Sequence, residues 1–134
     1  MTSLAELART VDEAARTASA IPQLTDTLPG LTVEDAYAVQ ALSMQRRYAR
    51  GERRVGLKMG LTSRAKMQQV GVSEVVWGRL TDAMRLPEGG DLSKKRFVHP
   101  RVEPEVAFIM KKSLAGDVSA AEALAAVEAI APAV

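Results

Sequence analysis

The sequence predicts an α+β fold in which helices come first and strands follow, and two observations support this. Apolar residues recur at helical spacing over residues 3–19 and again over about 33–50. After residue 53 the pattern changes to short runs of β-branched and apolar residues, bounded by glycines and turn residues. Helices and strands in separate blocks are typical of the α+β class.

Length and composition describe an ordinary small globular chain. The 134 residues suffice for one domain at most, and 47% of them are hydrophobic and 25% charged. No run of about 18 apolar residues occurs, so no membrane span is predicted. Early acids without an apolar leader predict a mature cytoplasmic protein. The formal net charge of +2 is too small to indicate a nucleic-acid partner.

The residue types also exclude several kinds of site. The chain has no Cys, which excludes disulfides and thiolate chemistry, and its single His excludes a His-rich metal centre. A bound metal would therefore need oxygen ligands, which favours Mg²⁺ or Mn²⁺ over zinc.

Two helices are predicted in the first 52 residues. The first covers residues 3–19, and a turn-rich connector follows over 22–31. Thr32 is predicted to cap the second helix, which runs over about 33–50 and ends at Gly51. This helix is expected to bury Ala36, Val39, Leu42 and Met44.

The arginines at the end of the second helix are interpreted as a solvated face. Cations are expected there because they complement the helix dipole, so a nucleic-acid patch is the weaker interpretation. The residues concerned are Arg46, Arg47, Arg50, Arg53 and Arg54.

A strand with a lysine at its centre is predicted to follow, from Arg54 towards Ser63. Gly56 and Gly60 would weaken this strand, which indicates that something approaches its backbone closely. Lys58 lies between them with apolar neighbours. It is either an edge residue that prevents aggregation or a partly buried lysine with a depressed pKa.

A short helix over about 63–69 is predicted next, with Thr62 or Ser63 as its cap. Its first N–H groups would suit an anion such as a carboxylate. Two further strands are predicted over 75–80, with Trp77 in the core or a pocket wall, and over 96–98. Turns are predicted over 87–90 and 114–117. A last helix is predicted over about 120–130, capped by Ser119 with Glu122.

Two acids stand at alternate positions of an apolar strand predicted over 102–110. Glu103 and Glu105 would then share one face with Ala107 and Ile109. At about 7 Å apart along the strand, two carboxylates can converge on one hard cation. The alternative places both acids on the wet face of an edge strand, where Pro104 is also tolerated.

Three blocks of the sequence together resemble the 2-hydroxypentadienoate hydratase and 2-oxo-3-hexenedioate (4-oxalocrotonate) decarboxylase family, within the fumarylacetoacetase-like superfamily. The likeness runs from about residue 30 onward and includes Asp35, Ala36, Tyr37 and Gln40. The blocks are Gly56-Leu57-Lys58-Met59-Gly60-Leu61-Thr62-Ser63, then Trp77-Gly78 with Leu80-Thr81-Asp82, then His99-Pro100-Arg101-Val102-Glu103-Pro104-Glu105-Val106-Ala107-Phe108.

The resemblance implies a fold and a domain division. Residues 1–52 would be an N-terminal helical region, and residues 53–134 the first part of a mixed β-roll or barrel that forms the catalytic domain. The family's chains are roughly twice as long, and their third metal-binding acid directly follows the segment matching Ala131–Val134. On this reasoning the sequence is a truncated N-terminal portion.

The resemblance also implies the site. Lys58 would be catalytic, and Glu103 and Glu105 would bind Mg²⁺ or Mn²⁺. Substrate-binding residues would be Gly60, Leu61, Thr62 and Ser63. The substrate would be a small 2-oxo acid from meta-cleavage catabolism of aromatic compounds. Expected partners are further copies of the chain and the hydratase of the same pathway.

Three functions remain open. Decarboxylation of 2-oxo-3-hexenedioate is favoured over hydration of 2-hydroxypenta-2,4-dienoate, because hydratases carry an acid just before the aromatic–glycine pair and Val76 stands there instead. From a different class, the chain could be an inactive fragment that serves only as a binding or oligomerisation module. Metal affinity and turnover would separate the enzymes from the inactive module.

Overall fold

Helices and strands both occur in the computed structural model, which describes residues 2–134. Two units are distinguished, Met1–Val98 and His99–Val134. The first contains α1 (Leu4–Thr17), α2 (Leu24–Thr27), α3 (Val33–Ala49), β1 (Arg54–Gly60), α4 (Arg64–Val70) and β2 (Val76–Thr81); the second contains β3 (Glu105–Met110), α5 (Ala120–Ala125) and β4 (Val127–Ala133). This mixed content agrees with the predicted α+β class. Among the described residues, none of the helices has the length and apolar character needed to cross a lipid bilayer.

Local capping signals set the ends of the two long helices. The Ser3 hydroxyl accepts from the Glu6 N–H at 3.2 Å, and the Glu6 carboxylate accepts from the Ser3 N–H at 2.7 Å. Thr32 and Asp35 form the same reciprocal box at the start of α3. Gly51, with φ +96°, follows the end of α3 in a conformation that favours glycine. The helices predicted over 3–19 and 33–50 are therefore confirmed, while the connector over 22–31 contains the short helix α2, which was not predicted.

Helices α1 and α3 pack together and form the core of the first unit. Leu7, Ala8 and Val39 are buried at its centre, and the surrounding partly buried residues are Leu4, Val11, Leu24, Leu28, Leu31 and Leu42. Met44 is also buried, as predicted. Ala36 is exposed, so its predicted burial is wrong. The first turns of α3 direct the half-buried Tyr37 towards β2 instead.

The arginines at the end of α3 bind a buried carboxylate, which corrects the prediction of a purely solvated face. Asp12 of α1 is 0% exposed. It accepts two hydrogen bonds of 2.7 Å from the Arg50 guanidinium and one of 2.9 Å from Arg46 Nε. Arg47 Nε lies 3.9 Å from the same carboxylate. A buried acid must be paired and hydrogen-bonded, and α3 supplies the partners.

Strands β1 and β2 form an antiparallel ribbon whose open end is tied by polar contacts. The Arg53 N–H donates to Asp82 Oδ1 at 2.9 Å, and the Asp82 N–H donates to the Arg53 carbonyl at 2.9 Å. The buried Thr81 hydroxyl donates to Glu52 Oε2 at 2.6 Å. Thr81 and Asp82 belong to one of the blocks that carry the family resemblance, and here they hold the ribbon together.

Strands β3 and β4 form a second antiparallel ribbon, which corrects two predictions. Strand β3 begins at Glu105 rather than at residue 102, because Pro104 has no N–H to donate to a ladder. Helix α5 ends at Ala125, and residues 127–133 are strand β4 rather than the end of a helix. Pairing with β3 outweighs the helix propensity of the alanine-rich segment.

Residues 96–98 form no strand, which corrects a further prediction. A single 3₁₀ turn covers Lys94–Arg96, and the chain continues without regular structure. The strand predicted over 75–80 is confirmed by β2, and the capping box of Ser119 with Glu122 is present at the start of α5.

Candidate active site and metal ligands

Lys58 lies on the glycine-rich face of the β1–β2 ribbon. The register pairs Lys58 with Gly78, Gly56 with Leu80 and Gly60 with Val76. Residues directly opposite each other point to the same side of a ribbon, so three glycines surround the lysine. The Lys58 side chain is exposed in the described chain. Its predicted place beside a metal concerns the longer protein and stays a prediction.

The opposite face of the same ribbon carries Leu57, Met59 and Trp77. The register pairs Met59 with Trp77 and Leu57 with Arg79, and these four line a shallow groove with Arg54. The Arg79 guanidinium carbon lies 4.8 Å from the Trp77 ring centroid, within cation–π distance. Leu57 and Met59, which adjoin Lys58 in the sequence, therefore point to the other face of the ribbon.

The predicted substrate-binding segment contains a strained residue. Leu61, directly after β1, has φ +57°, a left-handed conformation that a branched side chain rarely adopts. This conformation ends the strand and leads into α4, which Ser63 caps by accepting from the Lys66 N–H at 3.1 Å. Of the two predicted caps, Thr62 and Ser63, the structure uses Ser63. Non-glycine residues in this conformation occur at ligand-binding sites and also at helix ends, as at Ala18, so the assignment of Gly60, Leu61, Thr62 and Ser63 stays a prediction.

Side chains of α3 bind the outer edge of β2 at Trp77, a contact that the sequence did not reveal. The Trp77 N–H donates to Tyr37 Oη at 3.2 Å, and Gln40 Nε2 donates to the Trp77 carbonyl at 3.0 Å. The rings of Tyr37 and Trp77 stack with centroids 4.9 Å apart. Gln40 Oε1 also accepts from Arg79 Nη1 at 3.0 Å. Helix α3 thus fixes the strand that carries Gly78 opposite Lys58.

The two predicted metal ligands lie at the start of β3 in the second unit. Glu105 is the first residue of the strand and is half-buried, whereas Glu103 precedes the strand and is exposed. The strand predicted over 102–110 is therefore confirmed from Glu105 onward but not at Glu103, and the metal-binding role of both acids stays a prediction. Glu105 pairs with Ala133, and the next residues on its face, Ala107 and Ala131, are equally small.

The carboxylate oxygens of Glu103 and Glu105 are donor atoms of the type that hard divalent cations bind. Carboxylate oxygens are the ligands that Mg²⁺ and Ca²⁺ prefer in proteins. Within residues 2–134, however, no group of three or more His, Cys, Asp or Glu side chains is placed to hold a metal ion. The assignment of Glu103 and Glu105 as metal ligands therefore stays a prediction. Lys58 lies in the first unit, and the two glutamates lie in the second.

Comparison with known proteins gives matches that extend over nearly the whole chain. A 4-oxalocrotonate decarboxylase of Pseudomonas sp is 52% identical over 130 residues, which are 97% of this chain and 50% of that protein. A 2-hydroxyhexa-2,4-dienoate hydratase of Comamonas testosteroni is 41% identical over 123 residues, or 90% of this chain and 47% of that protein. The chain belongs to the 4-oxalocrotonate decarboxylase and hydratase family. No family model matches it.

Solved structures of this decarboxylase–hydratase family share the fold of the chain. The 4-oxalocrotonate decarboxylase of Pseudomonas putida G7, complexed with magnesium and adipate, gives a TM-score of 0.91 at 36% identity and covers 96% of this chain. A second structure of that enzyme holds calcium and acetate and gives a TM-score of 0.90. The chain spans about half the length of the relatives that it matches.

Proposed function

We propose that a protein containing this chain and the remaining half of the family's length decarboxylates 2-oxo-3-hexenedioate to 2-hydroxypenta-2,4-dienoate. The identity of 52% with a 4-oxalocrotonate decarboxylase, against 41% with a hydratase, is the observation that carries this proposal. Hydration of 2-hydroxypenta-2,4-dienoate is the second candidate, because hydratases also match most of the chain. The proposed reaction belongs to the meta-cleavage pathway of aromatic compounds. The proposed protein is a cytoplasmic homo-oligomer that forms a complex with the hydratase of that pathway.

The proposed fold of the longer protein is a β-roll that starts at residue 53 and follows a helical region over residues 1–52. The β3–β4 ladder supports a three-acid metal site in it. Because Glu105 pairs with Ala133, continuing the ladder by two residues would place Glu103 opposite the residue that follows Val134. An acid there would complete a set of three carboxylates on neighbouring positions of one ribbon.

In the proposed reaction, Glu103 and Glu105 would hold Mg²⁺ or Mn²⁺, which would supply Lewis-acid polarisation of the 2-oxo group. The bond to the distal carboxylate breaks and CO₂ leaves. The electron pair is delocalised through the C3–C4 double bond onto the keto oxygen. The Lys58 ammonium stabilises the negative charge there, and protonation of that oxygen gives the dienol product. The strained turn of Gly60, Leu61, Thr62 and Ser63 would position the substrate.

The metal assignment is tested in an extended protein, made by joining this chain to the remaining half of the Pseudomonas sp decarboxylase. Glu103→Gln and Glu105→Gln should each weaken Mg²⁺ binding by about tenfold or more and lower turnover, since each removes a charged ligand. Glu128→Gln, an exposed glutamate on β4, is the matched control. Unchanged Mg²⁺ affinity in both site variants, measured by isothermal titration, would show that the assignment is wrong.

The role of Lys58 has its own test in the same extended protein. Lys58→Ala should lower kcat by about 10²–10³ while KM changes less, because the charge that the ammonium meets develops mainly in the transition state. Lys66→Ala, an exposed lysine on α4, should leave both constants near those of the parent. A near-normal kcat for Lys58→Ala would contradict the assignment.

The choice among the functions is made by measuring two reactions. Loss of the conjugated absorbance of 2-oxo-3-hexenedioate with release of CO₂ supports the decarboxylase. Water addition to 2-hydroxypenta-2,4-dienoate without CO₂ release from the diacid would favour the hydratase. An extended protein with neither metal affinity nor turnover would favour a binding module. The 134-residue chain alone should show no turnover, because its ligand set is partial.

A further inference from the structure

Gly78 occupies a position where the described chain has no need of a glycine. It lies in the interior of β2, directly opposite Lys58. Glycine in a strand interior reduces stability, because it offers no side chain for packing and loses more backbone freedom on folding. Three structural features usually explain a glycine in a strand: a positive φ, a β-bulge, or close contact with a neighbouring atom.

None of the three reasons applies to Gly78. The described glycines with positive φ are Gly51, Gly71, Gly89 and Gly116, so Gly78 has a backbone that any residue can adopt. The irregularity of the ladder falls between Arg54 and Gly56 rather than at Gly78. A Cβ atom built at Gly78 would meet nothing within 4 Å.

The other two glycines on this face differ from Gly78. A Cβ at Gly60 would lie 3.0 Å from Val76 Cγ2, so the packing of the ribbon itself restricts that position. Gly56 adjoins the bulge at Val55, where a glycine is common. Among the glycines on this face, only Gly78 has no structural explanation within residues 2–134.

We propose that Gly78 is a specificity-determining residue, kept without a side chain so that a planar anionic substrate lies over the β2 backbone beside Lys58. On this face of β2, Gly78 lies between Val76 and Leu80, so the missing side chain leaves a gap between two apolar side chains, which suits a thin, planar conjugated 2-oxo acid. The ammonium group opposite supplies the charge for its carboxylate or keto oxygen. The identity of the substrate rests on the proposed function, whereas the clearance around Gly78 does not.

The first experiment measures the stability of the 134-residue chain itself. Gly78→Ala should raise the urea midpoint or leave it unchanged, because the methyl group meets open space and alanine orders more readily than glycine. Gly30→Ala, at another glycine with open space and no positive φ, is the matched control. A lowered midpoint for Gly78→Ala alone would show that the fold needs this glycine and would overturn the proposal.

The second experiment measures catalysis in the extended protein. Gly78→Ala should raise KM for 2-oxo-3-hexenedioate by about tenfold, Gly78→Val should raise it further, and Gly30→Ala should leave it unchanged. Turnover with an unchanged KM in both Gly78 variants would overturn the role of Gly78 and leave the proposed function standing.

If the extended protein shows no turnover, the proposed function is contradicted. A binding experiment then tests the role of Gly78 separately. Fumarate, a planar dicarboxylate, is added with Mg²⁺ to the ¹⁵N-labelled extended protein, and succinate serves as its flexible counterpart. The proposal expects the amide signals of Lys58 and Gly78 to shift with fumarate more than with succinate, and expects Gly78→Val to abolish the effect. Signals that respond to neither dicarboxylate would overturn it.

Discussion

At the scale of single residues, Asp12 of α1 binds the arginines at the end of α3. Its carboxylate is fully buried and receives a bidentate pair of hydrogen bonds from Arg50 and a further one from Arg46. Hydrogen bonding from Arg50, assisted by that from Arg46, lowers the pKa of Asp12 below its ordinary value of 3.8, although burial acts in the opposite direction. The charged form of this acid is therefore the form that the fold favours.

Asp12→Asn should destabilise the chain by about 1–3 kcal/mol, because the bonds to the arginines lose their charge assistance. Glu13→Gln is the matched control. Glu13 pairs with Arg16 on the surface, where solvent screens an ion pair and it contributes little to stability. Urea unfolding of both variants at neutral pH checks the prediction, and equal midpoints would contradict it.

The same carboxylate predicts how stability depends on pH. Because the folded-state pKa of Asp12 lies below 3.8, its contribution is fully present above that value. It is lost as the pH falls through the folded-state pKa. Unfolding of the parent chain between neutral pH and pH 2 should therefore show a loss of stability that is smaller in Asp12→Asn. Parallel curves for the two proteins would count against this.

Sequence reasoning did not find the Asp12 cluster, for a physical reason. Asp12 and Arg50 are separated by 38 positions, and an acid among the alanines of α1 reads equally well as part of a polar face. Arginines at a helix end are also expected from the dipole alone. Only the packing of the two helices decides between solvent and a buried partner.

At the scale of elements, α3 closes one edge of a ribbon without contributing a strand. Both backbone groups of Trp77 that point away from β1 bond to side chains of α3, its N–H to Tyr37 and its carbonyl to Gln40. An unpaired strand edge invites association with other chains. The tyrosine and glutamine that carry part of the family resemblance thus have a local structural task.

Tyr37→Phe should keep the ring stack on Trp77 and remove the acceptor of its N–H. The expected cost is about 1 kcal/mol, together with faster hydrogen exchange at the Trp77 amide. Gln45→Ala, an exposed position of the same helix, should change neither quantity. Exchange at Trp77 that is equally fast in the parent and in Tyr37→Phe would show that the edge is not held in this way.

The ends of elements were predictable where the signal is local. Thr32 with Asp35 and Ser119 with Glu122 are caps that act within a few residues, and both were predicted and are present. Strand β4 depends on a partner far away in sequence. Its alanines favour a helix on propensity, and only the ladder with β3 makes residues 127–133 a strand. The strand with Glu103 and Glu105 starts later than predicted for a local reason, since Pro104 has no N–H to donate to the ladder.

At the scale of the whole molecule, the chain exposes more surface than its mass requires. Its accessible area is 10721 Å². A compact monomer of 14.4 kDa exposes about 6,800 Å², and two separate compact bodies with the lengths of the two units about 8,000 Å². Much of the excess is apolar: Val106, Phe108 and Ile130 are 60%, 56% and 59% exposed. Apolar faces of this extent mark an interaction surface.

We therefore expect the 134-residue chain alone to self-associate through these faces, with a weight-average mass that rises with concentration in sedimentation equilibrium. The double variant Phe108→Lys with Ile130→Glu should reduce association, because it places an ion pair at directly opposite positions of the ribbon. Val33→Asp is the control, since Val33 is 63% exposed on α3 and an acid suits a helix start. A monomer at all concentrations would contradict the expectation.

The alanine-rich composition of β4 has a consequence for the order of events during synthesis. Strand β3 is made before its partner, so its ladder stays open until residues up to Ala133 have left the ribosome. Until that moment, the residues that will form β4 favour continuing helix α5. We therefore expect the ribbon to close only when this segment pairs with β3. Until then the nascent chain exposes the unpaired edge of β3, which is the kind of edge that associates with other chains.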